Sequence, residues 1–265
     1  MIRDITLGQY YPGESVIHRL DARVKIIATF VFIVELFIIN TFIGFAIATA
    51  ILAAVIAVSR VPVKFIFRGL KVIFFILLFT FVINVFMLDG RILWQWKFLH
   101  ITYEGLYRAC FMAVRLILLI IGSSMMTLCT KPMELTDGLE KLMKPLGVVG
   151  VPYHEIALMM TIALRFIPTL LEETDKIMKA QQARGADFDS GSLMQRAKNL
   201  IPILIPLFIS SFRIAQDLAL AMEARCYHGG EGRTRMNEIK FAGRDAVAGV
   251  MIAAYFAIVI VMRVM

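Results

Sequence analysis

The chain has 265 residues, 59% of them hydrophobic, a formal net charge of +8 and a mean hydropathy of +0.77. Soluble domains are about 45–50% apolar, so a water-soluble globule is excluded, and the excess of Lys and Arg is that of the cytoplasmic loops of a membrane protein rather than of a nucleic-acid surface. The three scattered cysteines, Cys110, Cys129 and Cys226, with no CxxC and only four histidines, point to neither a disulfide framework nor a metal site.

Residues 1–23 read as a polar arm, with a turn at Pro12-Gly13. They lack the leading apolar core of a cleavable signal peptide. A first apolar run covers about Val24–Ile39, short against the roughly 20 residues of a usual crossing. A break at Asn40-Thr41 leads to a second run, about Phe42–Val58, whose small residues recur as Ala46, Ala50, Ala54 and as Gly44, Ala48. That four-residue spacing allows close helix approach in lipid. A basic loop with Arg60, Lys64, Arg68 and Lys71 precedes a third run, about Val72–Leu88, which turns at Asp89-Gly90. Trp94, Trp96 and Tyr103 mark a membrane–water interface before a fourth run, about Gly105–Cys129. A last run, about Ala246–Met262, carries Gly249, Ala253 and Ala257 as a further close-packing stripe. The basic arm and basic second loop put the N-terminus in the cytoplasm, and five crossings put the C-terminus outside.

Between Lys131 and Asp245 the chain holds 15 Lys and Arg. Three amphipathic helices are predicted there. The first carries Leu135, Leu139, Leu142, Met143 and Leu146 on one stripe and ends at Pro145-Leu146-Gly147. The second starts after Pro152 and runs to Arg184, capped by Gly185. Its apolar stripe includes Met159, Met160, Ala163, Ile167, Leu170 and Leu171, and charges crowd the other face, so it is expected to lie in the interface rather than cross. The third contains the run Ile201–Phe208 and ends at Arg225. Part of the second helix's stripe is expected to pack on that run. The rest is expected to form an adaptable apolar platform for another protein.

The two long helices end alike, on Ala180-Gln181-Gln182-Ala183-Arg184-Gly185 and Ala221-Met222-Glu223-Ala224-Arg225-Cys226. One arginine at a helix C-terminus is ordinarily a favourable partner of the helix dipole. Two copies of Ala-x-x-Ala-Arg favour a second role: each guanidinium presents a planar fork to a carboxylate in a groove of a partner, two ends implying two similar partners. Glu35, Arg108 and Arg115 fall within apolar runs. Charges at membrane depth are functional candidates but usually pair, and an internal ion pair is the expected state, Glu35 and Arg108 both lying near the outer ends of their runs.

These motifs resemble the transmembrane T component (EcfT) of energy-coupling factor transporters. Arg165-Phe166-Ile167-Pro168 leading to Ala183-Arg184-Gly185 is the most specific stretch, and Ala224-Arg225-Cys226 stands where the family has its second X-Arg-X motif. The arm from Gly8-Gln9-Tyr10-Tyr11-Pro12-Gly13 to Leu20-Asp21-Ala22-Arg23 is also similar, with Ala22 in place of the family's usual proline and Cys226 where glycine is common. The resemblance implies a scaffold that couples two cytoplasmic ABC ATPases, docked on the two arginines, to a separate membrane subunit that binds a vitamin or metal ion. ATP would be held by the partners. The chain has no GxxxxGK[ST] loop, and no cofactor is expected of it.

The expected fold is therefore all-α: an arm and four transmembrane helices in 1–130, cytoplasmic coupling helices in 131–230, and a basic linker with a fifth transmembrane helix in 231–265. A stand-alone secondary transporter would call for repeated helices with midplane carboxylates, which the sequence lacks. An intramembrane enzyme would call for a motif such as HExxH or GxSxG, and neither occurs.

Overall fold

The computed structural model describes residues 10–87, 91–96, 99–188, 190, 192–229 and 241–264. The expected Gly8-Gln9 stretch, the Asp89-Gly90 turn, Lys97 and the linker 230–240 lie outside them. The chain divides into two compact units, 8–141 with 238–265, and 142–237. The helix after the fourth apolar run stays with the first unit up to residue 141.

The first unit is a helical bundle. Helix α1 (Ala22–Ile38) is followed by α2 (Phe42–Ser59) and α3 (Val63–Met87). Segments Val63–Lys71 and Ile73–Phe86 of α3 meet at 59°. A short antiparallel ribbon of β1 (Ile92–Trp96) and β2 (Leu99–Thr102) then leads into α4 (Tyr103–Cys129). That ribbon was not foreseen. Helices α5 (Pro132–Met143) and α9 (Gly243–Val264) belong to this unit, α5 up to Lys141.

Local chemistry explains the boundaries. Asp21 caps α1 by accepting the Arg23 backbone N–H at 2.8 Å. Ala22 therefore occupies the first helical position, the one where proline is favoured, so losing the proline leaves the start of α1 in place. Thr41 and Thr102 cap α2 and α4 by accepting from Gly44 and Gly105. Arg60 ends α2 in the left-handed region, at φ 56°.

The direction of packing can be read from hydrogen bonds. Lys25 Nζ donates to the Cys129 carbonyl at 3.0 Å, and Arg115 Nη2 donates to the Ile39 carbonyl at 3.0 Å. Helices α1 and α4 are therefore antiparallel, and Lys25 sits where the α4 dipole favours a cation. Asp245, 1% exposed, accepts the Asp21 N–H at 2.8 Å through one oxygen and the Ala242 N–H at 2.8 Å through the other. The starts of α1 and α9 and the end of α4 thus meet at one end of the bundle. The arm is tied to the same end: Tyr11 N–H donates to the Leu128 carbonyl at 2.9 Å.

The core is formed by Leu36 and Ile39 of the α1 end, Phe45, Ala48 and Leu52 of α2, Leu118, Met125 and Leu128 of α4 and Val259 of α9. Gly122 of α4 faces the Phe32 ring so closely that a Cβ would stand 2.6 Å from it. Of the small-residue stripes, Gly44 and Ala48 are buried, whereas Ala46, Ala50 and Ala54 are exposed. The α9 stripe is corrected: Gly249, Ala253 and Ala257 are exposed and nothing lies within 4 Å of a Cβ at Gly249. That helix packs instead through Asp245, Ala248 and Val259. Large apolar side chains such as Phe30, Phe74, Phe75 and Val250 lie on the outside, the inverse of a water-soluble surface and the arrangement a hydrocarbon solvent requires.

The second unit contains a 3-10 turn (Lys144–Val149), then α6 (Tyr153–Ala183), α7 (Leu193–Asn199) and α8 (Ile201–Glu223). Five helical stretches are long and apolar enough to cross a membrane: α2, α4, α6, Met194–Glu223 and α9, with α3 a sixth if its bent halves form one span. At 17 residues α1 is shorter than these, and length and composition admit α6 and α8 in its stead.

Candidate functional site

Helix α6 has 31 residues, about 46 Å at 1.5 Å per residue. Gln181 Nε2 donates to the Pro202 carbonyl at 3.3 Å, and Ser210 Oγ donates to Glu173 Oε1 at 3.4 Å. Later residues of α6 face earlier residues of α8, so the two helices are antiparallel and their C-termini point in opposite directions.

The two C-termini have the same backbone geometry. At the end of α6, Gly185 takes φ 88°, its N–H donates to the Gln182 carbonyl at 2.9 Å and the Ala186 N–H donates to the Gln181 carbonyl at 3.0 Å. At the end of α8, Cys226 takes φ 56°, its N–H donates to the Glu223 carbonyl at 2.8 Å and the Tyr227 N–H donates to the Met222 carbonyl at 3.0 Å. Both are Schellman caps, in which a left-handed residue turns the chain and satisfies the last helical carbonyls. In each, the arginine is the residue just before the left-handed position, preceded by an alanine. Ala183, Arg184, Gly185, Ala224, Arg225 and Cys226 are all exposed. Among the described residues neither guanidinium has a hydrogen-bond or ion-pair partner. An antiparallel pair of these lengths separates the arginines by up to about 40 Å.

The expected apolar stripe on α6 divides. Met159, at 60% exposed, Met160 and Ala163 lie open, whereas Ile167, Leu170 and Leu171 are half-buried. The α8 run does not pack as a block. Ile203 is buried and Pro206, Leu207 and Ser210 are half-buried, but Leu204, Ile205, Phe208, Ile209 and Phe212 are exposed. An apolar run without polar punctuation carries no periodic signal to mark its inner face, so this division was not legible in the sequence. Gln181 was likewise missed, because its role depends on a residue in another helix.

The intramembrane charges lie in the bundle, and the expected ion pair is not formed among the described residues. Arg115 spends its Nη2 on the Ile39 carbonyl and packs against Phe37, Phe45 and Phe111 at 5.6, 5.8 and 5.2 Å from the ring centroids. Glu35 is 1% exposed and neither of its carboxylate oxygens has a hydrogen-bond partner. Arg108 is exposed and shares a cleft with Arg115. A backbone carbonyl left open at the end of α1 competes successfully for the guanidinium.

A helical membrane bundle and an antiparallel pair of long helices with twin arginine-tipped ends, carried in one chain, define an integral membrane component built to meet other proteins. The family model described as "CbiQ: Cobalt transport protein" matches residues 13–236. Proteins called energy-coupling factor transporter transmembrane protein EcfT are similar over the full length. That of Clostridium kluyveri is 58% identical over 100% of this chain and 98% of its own. That of Ruminiclostridium cellulolyticum is 55% identical over 99% and 98%, and that of Bacillus subtilis 44% over 99% and 100%. The chain belongs to the CbiQ family, among the EcfT-type transmembrane components of energy-coupling factor transporters.

Proposed function

We propose that this chain is the non-catalytic scaffold of an ATP-driven importer, passing the motion of two cytoplasmic ATPases to a separate substrate-binding membrane subunit for uptake of a vitamin or a metal ion. The observation that carries the reading is the pair of matched helix ends: one cap geometry, one arginine position, no internal partner among the described residues, opposite directions. A fork-shaped cation presented on a small-residue helix tip suits a carboxylate in a groove of each ATPase. The description of the matched family as cobalt transport fits metal-ion uptake, and the relatives' names fit an energy-coupling role. ATP is bound by the partners.

In this reading α6 and α8 lie along the cytoplasmic interface. Arg165, Glu172, Glu173, Asp175, Lys176 and Lys179 on α6 would each be costly at the centre of a bilayer, by roughly 2.5–3.5 kcal/mol on insertion scales. The arm and N-terminus are cytoplasmic by the positive-inside rule. Because α9 starts at the same end of the bundle as α1, the C-terminus is external, in the cell membrane of a bacterium.

The test is co-purification through a tag on an ATPase. Arg184→Ala and Arg225→Ala should each weaken assembly and coupled ATP hydrolysis, the double variant more than either, because truncating one partner of a desolvated charge pair costs on the order of 2–5 kcal/mol. Lysine should restore little, lacking the fork. Normal assembly and transport by the double alanine variant would remove the docking role.

A further inference from the structure

At the end of the bundle that carries the α1–α2 turn, Asn40, Asn84, Arg108 and Arg115 surround a cleft of about 540 Å³, closed by Ile83, Phe111 and Met112. Arg115 is fixed there by the Ile39 carbonyl and three aromatic rings. Its Nε is shielded from solvent and has no partner. Its charge is therefore held on the cleft wall by contacts to neutral groups only. Arg108 is exposed and without an ion-pair or hydrogen-bond partner among the described residues. Asn84 spends its Nδ2 on the Thr80 carbonyl at 2.8 Å. No carboxylate is among the lining residues. Two permanent cations on a membrane bundle, with no counter-ion among the described residues, call for an anion.

We propose that this cleft binds the headgroup phosphate of an anionic phospholipid. Arg108 donates to phosphate oxygens, as guanidinium groups do to phosphate generally, the fixed positive charge of Arg115 on the cleft wall attracts the same phosphate, and Asn40 supplies a further amide. The first part of an acyl chain lies on Ile83 and Met112. A lipid suits the cleft better than a soluble anion because the wall is apolar and continues into exposed Val82, Leu106 and Tyr107, a surface for hydrocarbon. An anionic headgroup suits it better than a zwitterionic one because an ammonium group would meet two arginines and no carboxylate. This assignment is independent of the role given to Arg184 and Arg225.

The experiment is native mass spectrometry of the full chain, purified with its co-expressed partners from nanodiscs holding equal phosphatidylglycerol and phosphatidylcholine with matched acyl chains. The wild type should retain phosphatidylglycerol over phosphatidylcholine by fivefold or more, about the worth of a single basic residue at an anionic lipid surface. Arg108→Gln should lower that ratio by about fivefold, Arg108→Lys should keep most of it, and Lys64→Gln, in α3 outside the cleft, should leave it unchanged. Excess inorganic phosphate should not displace the lipid. Equal retention of the two lipids by the wild type overturns the proposal whether or not any variant folds. A wild-type ratio in Arg108→Gln, displacement by inorganic phosphate, or cross-linking of a partner subunit to Arg108 in place of lipid would each overturn it as well.

Discussion

The Gln181 side chain donates to the one carbonyl near the start of α8 that its own helix cannot serve. The residue four positions after Pro202 is Pro206, which has no N–H, and Gln181 Nε2 lies 3.3 Å from the Pro202 oxygen. A proline inside a helix normally leaves such a carbonyl open. Here the gap joins α6 to α8 three residues before Arg184. Gln181→Leu should therefore release the first turns of α8. Net loss of one hydrogen bond is about 1 kcal/mol, so amide exchange at Leu204 and Ile205 should quicken by about fivefold. Unchanged exchange would show that the contact does not hold the two helices.

The twin caps differ in one residue, and that difference predicts opposite responses. Gly185 at φ 88° and Cys226 at φ 56° occupy the same position. A side chain in the left-handed region costs roughly 1–2 kcal/mol, from which glycine is free. Cys226→Gly should therefore stabilise the end of α8 slightly, and Gly185→Ala should loosen the end of α6, although no neighbour lies within 4 Å to clash with a Cβ there. Hydrogen exchange at Ala186 and Tyr227 would report both. Equal responses would mean that the two ends are not the same device.

Much of this was legible in the sequence because it is local. The cap at Gly185 and the end of α5 near Pro145 depend on residues a few positions apart, and the repeated Ala-x-x-Ala-Arg could be seen by eye. What was not legible depends on distance in sequence. Asp245 was an unremarked charge near the last apolar run, yet it closes the start of α1 across 224 positions. Arg115 was expected to meet a carboxylate and found the Ile39 carbonyl, since a sequence does not show which backbone groups a helix end leaves open. The β1–β2 ribbon was hidden because its aromatic residues were read as an interface belt.

Asp245 gives a stability prediction. It is almost fully buried and accepts two backbone N–H groups. Asp245→Ala orphans both, at ~1–3 kcal/mol for each buried donor. Asp245→Asn keeps one acceptor oxygen and should lose about half as much. Thermal denaturation in detergent should rank wild type above Asn above Ala. If Ala melts with the wild type, the junction of α1 and α9 is held by something else.

The arm should respond to pH. His18 Nε2 donates to the Tyr11 carbonyl at 3.1 Å, so Nδ1, 2.6 Å from Ser15 Oγ, accepts the hydroxyl proton and the ring is neutral. Burial lowers the His18 pKa from its usual 6.5; the Tyr11 hydrogen bond and Glu134 oppose this, and Lys25 adds to it. With the docked pKa below the free value, the undocked arm binds the proton more readily. The histidine's contribution to docking is fully present above about pH 6.5 and falls as pH drops through the docked pKa. Asp21 does not blur the signal near neutrality: burial pushes its pKa up, but hydrogen bonds from Arg23 outweigh that and hold it below the usual carboxylate range. The protection factor of the Tyr11 amide, bonded to Leu128 and corrected for the intrinsic pH dependence of exchange, should fall between pH 7 and 5 in the wild type and stay flat in His18→Gln. A flat wild-type profile would remove His18 from arm docking.

The surface proposed for the substrate-binding subunit is best tested at its exposed positions rather than in the half-buried part of the α6 stripe. Leu170 is half-buried, so a charge there would disturb the α6–α8 pair as well as any outer partner. Met159 and Phe208 are 60% and 64% exposed and answer the question without that confusion. An apolar interface of this kind is held by buried area, at roughly 25 cal/mol per Å² before association costs. Met159→Glu and Phe208→Glu should therefore detach the substrate-binding subunit, while leaving both ATPases on Arg184 and Arg225. A pull-down through an ATPase tag separates the outcomes. Loss of the membrane subunit alone places the platform on these helices. Retention of every partner at wild-type stoichiometry would leave the exposed faces of α6 and α8 to lipid, and Leu170→Glu, expected to lose all partners together, serves as the control for a collapsed helix pair.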